Sequence, residues 1–155
     1  MSYRLERSLF LPRAREEVFA FFSDAANLER ITPPFLNFHI TTPQPIDMKV
    51  GALIDYRLRL YGIPIRWRTI ITAFDPPSSF TDVQLSGPYR RWHHHHEFLE
   101  VPGGTEMRDR VDYELPFPHV APIIHTLFVR RSVQQIFDYR NRIIAEVFKD
   151  SVSTP

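Results

Sequence analysis

Between Ser79 and Leu115 the side chains alternate in polarity with a period of two, broken at Gly87-Pro88 and Pro102-Gly103. The pattern predicts three consecutive antiparallel strands joined by tight turns. It constrains the fold strongly, because a one-residue slip in a strand turns every side chain to the wrong face. One face carries Phe80, Asp82 and Gln84, then Trp92, His94, His96 and Phe98, then Met107, Asp109, Val111 and Tyr113. The other carries Arg90, Arg91, His93, His95 and Glu97, then Arg108, Arg110, Asp112 and Glu114. The second face costs least in water. The first must look inward, and it holds two carboxylates and two imidazoles.

A two-residue turn at Pro102-Gly103 sets Val101 opposite Gly104 and propagates by twos. Phe98 then opposes Met107, His96 opposes Asp109 and Trp92 opposes Tyr113. Folding at Gly87-Pro88 sets Asp82 opposite His94 and Gln84 opposite Trp92. Directly opposed side chains are close enough to hydrogen bond, so two inward acid–imidazole pairs are expected. A slip of two residues would exchange the partners and keep the face.

The remaining elements follow from their own periods. Tyr3 to Leu11 reads as a first strand ended by Pro12. Arg13 to Ser23 has helical spacing through Val18, Phe21 and Phe22. Asp24 can cap a second short helix that Pro33-Pro34 stops. Phe35 to Thr41 is expected to be a short strand, and Thr42 to Val50 a Pro-rich connection. Ala52 to Phe74 reads as a hairpin about Tyr61-Gly62. Leu60, Leu58, Tyr56, Ile63, Ile65 and Trp67 share one of its faces, and Arg57, Arg59, Arg66 and Arg68 the other. Those arginines read first as a solvated face, and second as a shallow basic stripe for an acidic partner. His119 to Asp150 reads as a long helix with two apolar patches. Ile123, Ile124, Leu127 and Phe128 form one, and Val133, Ile136, Phe137, Ile143, Ile144, Val147 and Phe148 the other. Arg130-Arg131-Ser132 lies between them and is where a bend is expected. A helix of this length needs its apolar face covered, so it should lie across the sheet. The expectation is one α+β domain over 1–150, a bent sheet of about six to seven strands wrapped on the long helix, with a frayed tail at 151–155.

Composition narrows the function classes. The chain has 155 residues, 43% of them apolar, enough for a sizeable core. Net charge is +1, which gives no overall basic field for nucleic acid or an anionic membrane. With no cysteine there are no disulfides or thiolate metal sites, which fits a reducing cytoplasm. The first residues lack the apolar run of a signal peptide, and no stretch reaches membrane-spanning length. There is no GxGxxG, no GxxxxGK and no G-x-S-x-G.

The strand ended by Pro12, the VFAFFSDAANLERITPP helix pair, the GPYRRWHHHHEFLEVPGGTEMRDRVDYELPF segment and the closing FDYRNRIIAEVF together resemble the SRPBCC or START superfamily. The likeness extends over nearly the whole chain. GPY, Trp92, His94, His96, Phe98, Asp109 and Tyr113 look most like a bacterial ligand-binding subgroup. The resemblance implies the helix-grip fold, no cofactor and a deep cavity for a small hydrophobic or aromatic molecule. Fold alone does not choose among the carriers, receptors and cyclases built on it.

Three readings of the inward polar face stay open. The His–Asp pairs can be a self-satisfied network that fixes register, since an unpaired buried polar group costs about 1–3 kcal/mol. They can orient the polar end of a ligand. They can also act as in polyketide cyclases, with His94 or His96 as the base and Asp82 or Asp109 orienting it. Trp67, Trp92, Tyr56 and Tyr113 would form aromatic walls, completed by Gln84, Met107 and Leu127. His94, His96 and Asp109 also match a two-imidazole, one-carboxylate metal set, but a metal-free site is the expected one. His93 and His95 point to solvent in this register. A homodimer is left open.

Overall fold

In a computed structural model, residues 2–150 are described. The tail expected at 151–155 lies outside the described residues. The elements in order are β1 (Ser2–Leu11), α1 (Arg15–Phe22), α2 (Ala26–Arg30), β2 (His39–Ile40), β3 (Leu53–Leu60), β4 (Ile63–Asp75), β5 (Ser79–Ser86), β6 (Arg91–Val101) and β7 (Gly104–Glu114). A helix then runs from Ala121 to Asp150 in three parts: α3 (Ala121–Ile124), a π-helical turn (His125–Val129) and α4 (Arg130–Asp150). The strands form one antiparallel sheet ordered β1-β7-β6-β5-β4-β3-β2. This is the helix-grip arrangement expected from the sequence.

Alternation sets the central register. Val101 pairs with Gly104, Phe98 with Met107, His96 with Asp109 and Trp92 with Tyr113. Asp82 pairs with His94, but the β5–β6 ladder ends at Val83 and His93. Gln84 therefore does not oppose Trp92. Its amide instead bonds both polar atoms of the Tyr89 backbone, at 2.8 and 3.2 Å, and closes the Gly87-Pro88 loop. In the β3–β4 hairpin Tyr56 opposes Trp67 and Leu58 opposes Ile65 as expected. Ile63 departs from its face-mates: it sits at the tip beyond the sheet's grip, exposed. Register shifts in β4–β5 near Arg68 and near Ile71 add the local twist that bends the sheet.

The strand expected over Phe35 to Thr41 is mostly absent. Pro34–Leu36 forms a 3-10 turn, leaving β2 only two residues long. Pro34 starts that turn with its fixed φ, and Asn37 ends it in the left-handed region.

The long helix departs from its expected irregularity. The bend was expected at Arg130-Arg131-Ser132, whereas the irregular turn lies before it, at His125–Val129. The buried stripe explains why. Ala121, His125, Val133 and Phe137 are buried, with half-buried Val129 between them, so the inward positions recur every fourth residue. A regular helix has about 3.6 residues per turn, so that spacing would rotate off the sheet. The wider π turn absorbs the excess. The same rotation carries Ile123, Ile124, Leu127 and Phe128 outward, so the first apolar patch does not cover the sheet.

α4 packs on the inward face at both ends of the sheet. Val133 and Phe137 join Leu5, Val111 and Tyr113, while Ile144 and Phe148 join Leu11, Phe98 and Met107. Between the two clusters the packing opens, and a cavity of about 180 Å³ remains.

Candidate functional site

The cavity walls are mostly apolar and aromatic. Tyr56, Leu58 and Trp67 come from β3 and β4, Phe80 and Trp92 from β5 and β6, and Ile136 and Phe137 from α4. Aromatic rings meet edge to face there, Trp67 with Trp92 at 5.4 Å between centroids. Among these walls stands a polar cluster: Asp82, His94, His96 and Arg140 line the space, and Asp109 lies behind the imidazoles. The two histidines are each 5% exposed and Asp109 2%.

The pleat brings the cluster together, but the shortest bonds run diagonally. His94 Nε2 is 2.8 Å from Asp109 Oδ1 and His96 Nε2 is 2.6 Å from Asp82 Oδ2. The directly opposed groups are farther apart, His96 Nδ1 to Asp109 at 3.3 Å and His94 Nδ1 to Asp82 at 3.8 Å. The expected register thus holds while the closest partners are exchanged. The imidazoles lean along their strand and stack on each other, 3.7 Å between centroids. Phe80 stacks on the outer face of His96 at 4.1 Å.

Arg140 was not foreseen. It reaches from α4 to within 3.4 Å of Asp109 Oδ1 and 3.5 Å of His96 Nδ1, and Phe22 and Phe137 flank its guanidinium. The sequence held a signal for it. Val133, Phe137, Ile144 and Phe148 mark the buried stripe, and Arg140 occupies the stripe position between Phe137 and Ile144. A buried arginine needs an anion, and Asp109 supplies one.

The environment drives the two imidazoles in opposite directions. Burial and the neighbouring His96 push His94 down to about 4, against the pull of Asp109 and Asp82. For His96 burial also opposes charge, but contacts with Asp109 and Asp82 outweigh it and raise its pKa above the ordinary 6.5. Burial favours the neutral form of both carboxyls as well. Arg140 and the histidines overcome it at Asp109, holding it well below the usual carboxylate range. The His96 hydrogen bond and the charges of His94, His96 and Arg140 lower Asp82. The tautomers follow from these charges. Asp109 can only accept, so neutral His94 donates its Nε2–H to it and keeps a lone pair on Nδ1. His96 donates Nε2–H to Asp82, and its raised pKa favours the protonated ring.

Other named residues fall elsewhere. Met107 is buried in the core cluster with Phe98 and Ile144 and does not line the cavity. Tyr113 lies outside the cavity lining too, and its hydroxyl meets His125 Nε2 at 2.7 Å. Gln84 is consumed by the Tyr89 backbone, while Tyr89 itself joins the wall unforeseen. Leu127 stands on the outer side of the helix, 61% exposed. Trp67 Nε1 is buried in the wall without a hydrogen-bond partner among the described residues. Of the solvent-facing pair, His95 is half-buried and shares a 2.9 Å hydrogen bond with Thr81. The metal reading shifts its carboxylate, since the atoms that converge are those of Asp82, His94 and His96.

A family model described as polyketide cyclase / dehydrase and lipid transport matches residues 11–139. No curated protein matches the sequence significantly. Among solved structures, TTHA0849 from Thermus thermophilus is similar with a TM-score of 0.74 at 17% identity, covering 99% of this chain and 100% of that one. The di-domain ARO/CYC StfQ of the steffimycin biosynthetic pathway gives 0.73 at 14% identity, over 99% of this chain and 53% of that one. The major latex-like protein 151 of Panax ginseng gives 0.69 at 14% identity, over 96% and 98%. At these identities the likeness is one of fold.

Proposed function

Because the chain belongs to the polyketide cyclase, dehydrase and lipid transport family, we propose that it encloses a small hydrophobic or aromatic molecule whose polar end is a hydroxyl or enol. The observation that carries this reading is the placing of His94 in an otherwise apolar, aromatic-walled cavity, with Nε2 engaged by Asp109 at 2.8 Å and Nδ1 without a hydrogen-bond partner among the described residues. A lone pair there accepts an O–H. Asp82 beside it disfavours a carboxylate ligand, since like charges in a buried site repel. The unpartnered Trp67 Nε1–H offers a second point of recognition for an acceptor atom. The volume of about 180 Å³ exceeds the roughly 150 Å³ of a cavity known to take up benzene.

Quenching of Trp67 and Trp92 by 1-naphthol and by naphthalene tests the reading. 1-Naphthol should bind about tenfold more tightly, a preference worth one hydrogen bond, and His94→Leu should abolish the difference. Equal binding of the two probes by the native protein, or no binding of either, would count against it.

A second reading is acid–base catalysis of the cyclase or dehydratase type, and the opposed pKa shifts of two stacked imidazoles favour it. His94 Nδ1 would take a proton from carbon beside a carbonyl. The His96 imidazolium and Arg140 would stabilise the resulting enolate. Solvent deuterium exchange into 1-phenyl-1,3-butanedione measures that step directly. His94→Gln should slow protein-dependent exchange about 100-fold or more, and an unchanged rate would remove this reading while leaving the binding one standing.

A further inference from the structure

Burial does not account for the surface made by the β3–β4 hairpin tip and the start of the long helix. Tyr61 is 70% exposed, Ile123 63%, Leu127 61% and Phe128 52%. Tyr61 and Phe128 belong to one surface, because their rings meet edge-on at 6.2 Å and the Tyr61 hydroxyl meets Ser132 Oγ at 2.7 Å, and Ile123 and Leu127 are exposed on the same start of the long helix. Large apolar side chains gathered on a surface mark an interaction site.

Charge is distributed unevenly about this surface. Residues 56–74 and 115–137, the two segments that build it, contain Arg57, Arg59, Arg66, Arg68, Arg130 and Arg131 and no Asp or Glu. The whole chain has 19 basic and 18 acidic residues, so the rest holds 13 basic against 18 acidic. The net charge of +1 therefore conceals two locally basic stretches, bounded by Asp55, Asp75 and Asp138. Only Arg68 among the six forms an ion pair among the described residues, with Asp55. Arg57 and Arg66 lie directly opposite each other across β3 and β4. Like charges so placed repel, and Asp55, the acidic residue next along that face of β3, is already paired with Arg68.

We propose that this end of the molecule docks on an anionic lipid bilayer. Ile123, Leu127, Phe128 and Tyr61 enter the boundary between headgroups and acyl chains, and the surrounding arginines rest on lipid phosphates. Contact is peripheral, since no helix among the described residues is long and apolar enough to cross a membrane. A second copy is a poorer occupant, because a two-fold interface would set these arginine-rich segments against each other. The cavity wall reaches this end through Leu60, next to Tyr61. Docking does not depend on what the cavity holds.

Co-sedimentation with phosphatidylcholine vesicles, with and without phosphatidylglycerol, tests the proposal. The protein should pellet with the anionic vesicles, release with added salt, and ignore pure phosphatidylcholine. Ile123→Ser with Leu127→Ser, and separately Arg130→Glu with Arg131→Glu, should each reduce partitioning about tenfold or more. These positions are exposed, and circular dichroism and thermal melts should show both variants folded. Failure to pellet, equal pelleting with neutral vesicles, or indifference to both pairs of substitutions would overturn docking. So would a dimer in sedimentation equilibrium that the two serine substitutions dissolve.

Discussion

At the scale of the residue, Asp109 organises the polar cluster. Its Oδ1 lies near His94, His96 and Arg140 together, and each of those groups depends on its charge. Asp109→Asn should therefore destabilise the protein by about 3–5 kcal/mol in chemical denaturation, the usual cost of leaving buried cations unpaired. The histidines bracket stability from both sides. His94 is depressed to about 4, so as pH falls from 6.5 the unfolded chain takes up a proton that the folded one refuses. Its contribution is full above 6.5 and is lost between there and about 4. His96 is raised, so its contribution is full below 6.5 and is lost as pH climbs through its folded value. The thermal midpoint should thus fall on both the acid and the alkaline side. His94→Asn should flatten the acid limb between 6.5 and about 4, and His96→Asn the alkaline one. Melts across pH check both, and an unaltered acid limb in His94→Asn would contradict the assignment.

At the scale of the element, small contacts decide where strands and helices stop. A Cβ on Gly104 would overlap the Leu11 carbonyl oxygen, and this backbone cannot swing aside. Gly104→Ala should cost several kcal/mol and lower the thermal midpoint sharply, of order the largest single-residue effects. Gly87 presents a milder case, because a Cβ there meets the side chain of Gln84 at 2.7 Å. Gln84 is itself tied to Tyr89, so Gly87→Ala and Gln84→Ala should disturb one loop and combine less than additively in a double-mutant cycle. The π turn has a comparable anchor. His125, stacked on Tyr3 at 3.5 Å, meets the Tyr113 hydroxyl. Tyr113→Phe should cost about 1–2 kcal/mol by denaturant unfolding, since it leaves a buried imidazole nitrogen unpaired.

At the scale of the whole molecule, a bent sheet and a helix meet at two clusters, with the cavity and the Arg140–Asp109 contact between them. A chain with many large aromatic residues can hold such a space open, because interlocked rings resist collapse. Charge is unevenly distributed along the same chain. Arg59 beside the hairpin tip and Arg130 and Arg131 after Phe128 adjoin the outward apolar side chains along the chain, while the chain outside 56–74 and 115–137 carries the acidic excess. Overall charge alone argued against an anionic surface, and the docking proposal rests instead on the local clustering of arginines beside exposed apolar side chains.

What the linear chain determined by itself is what a period of two determines. The face of His94, His96, Asp82 and Asp109, and the register that aligns them, follow from alternation and two short turns, both local properties. The helix-grip order was legible from helical spacing, proline stops and the family resemblance. Tertiary packing decided the rest. It chose diagonal over direct acid–imidazole partners, because side-chain lean depends on what presses from above. It brought Arg140 to Asp109 across the interior and turned Leu127 outward, because a stripe spaced by fours forced a π turn. Contacts between distant segments depend on how much space the intervening side chains leave, and no local pattern records that sum.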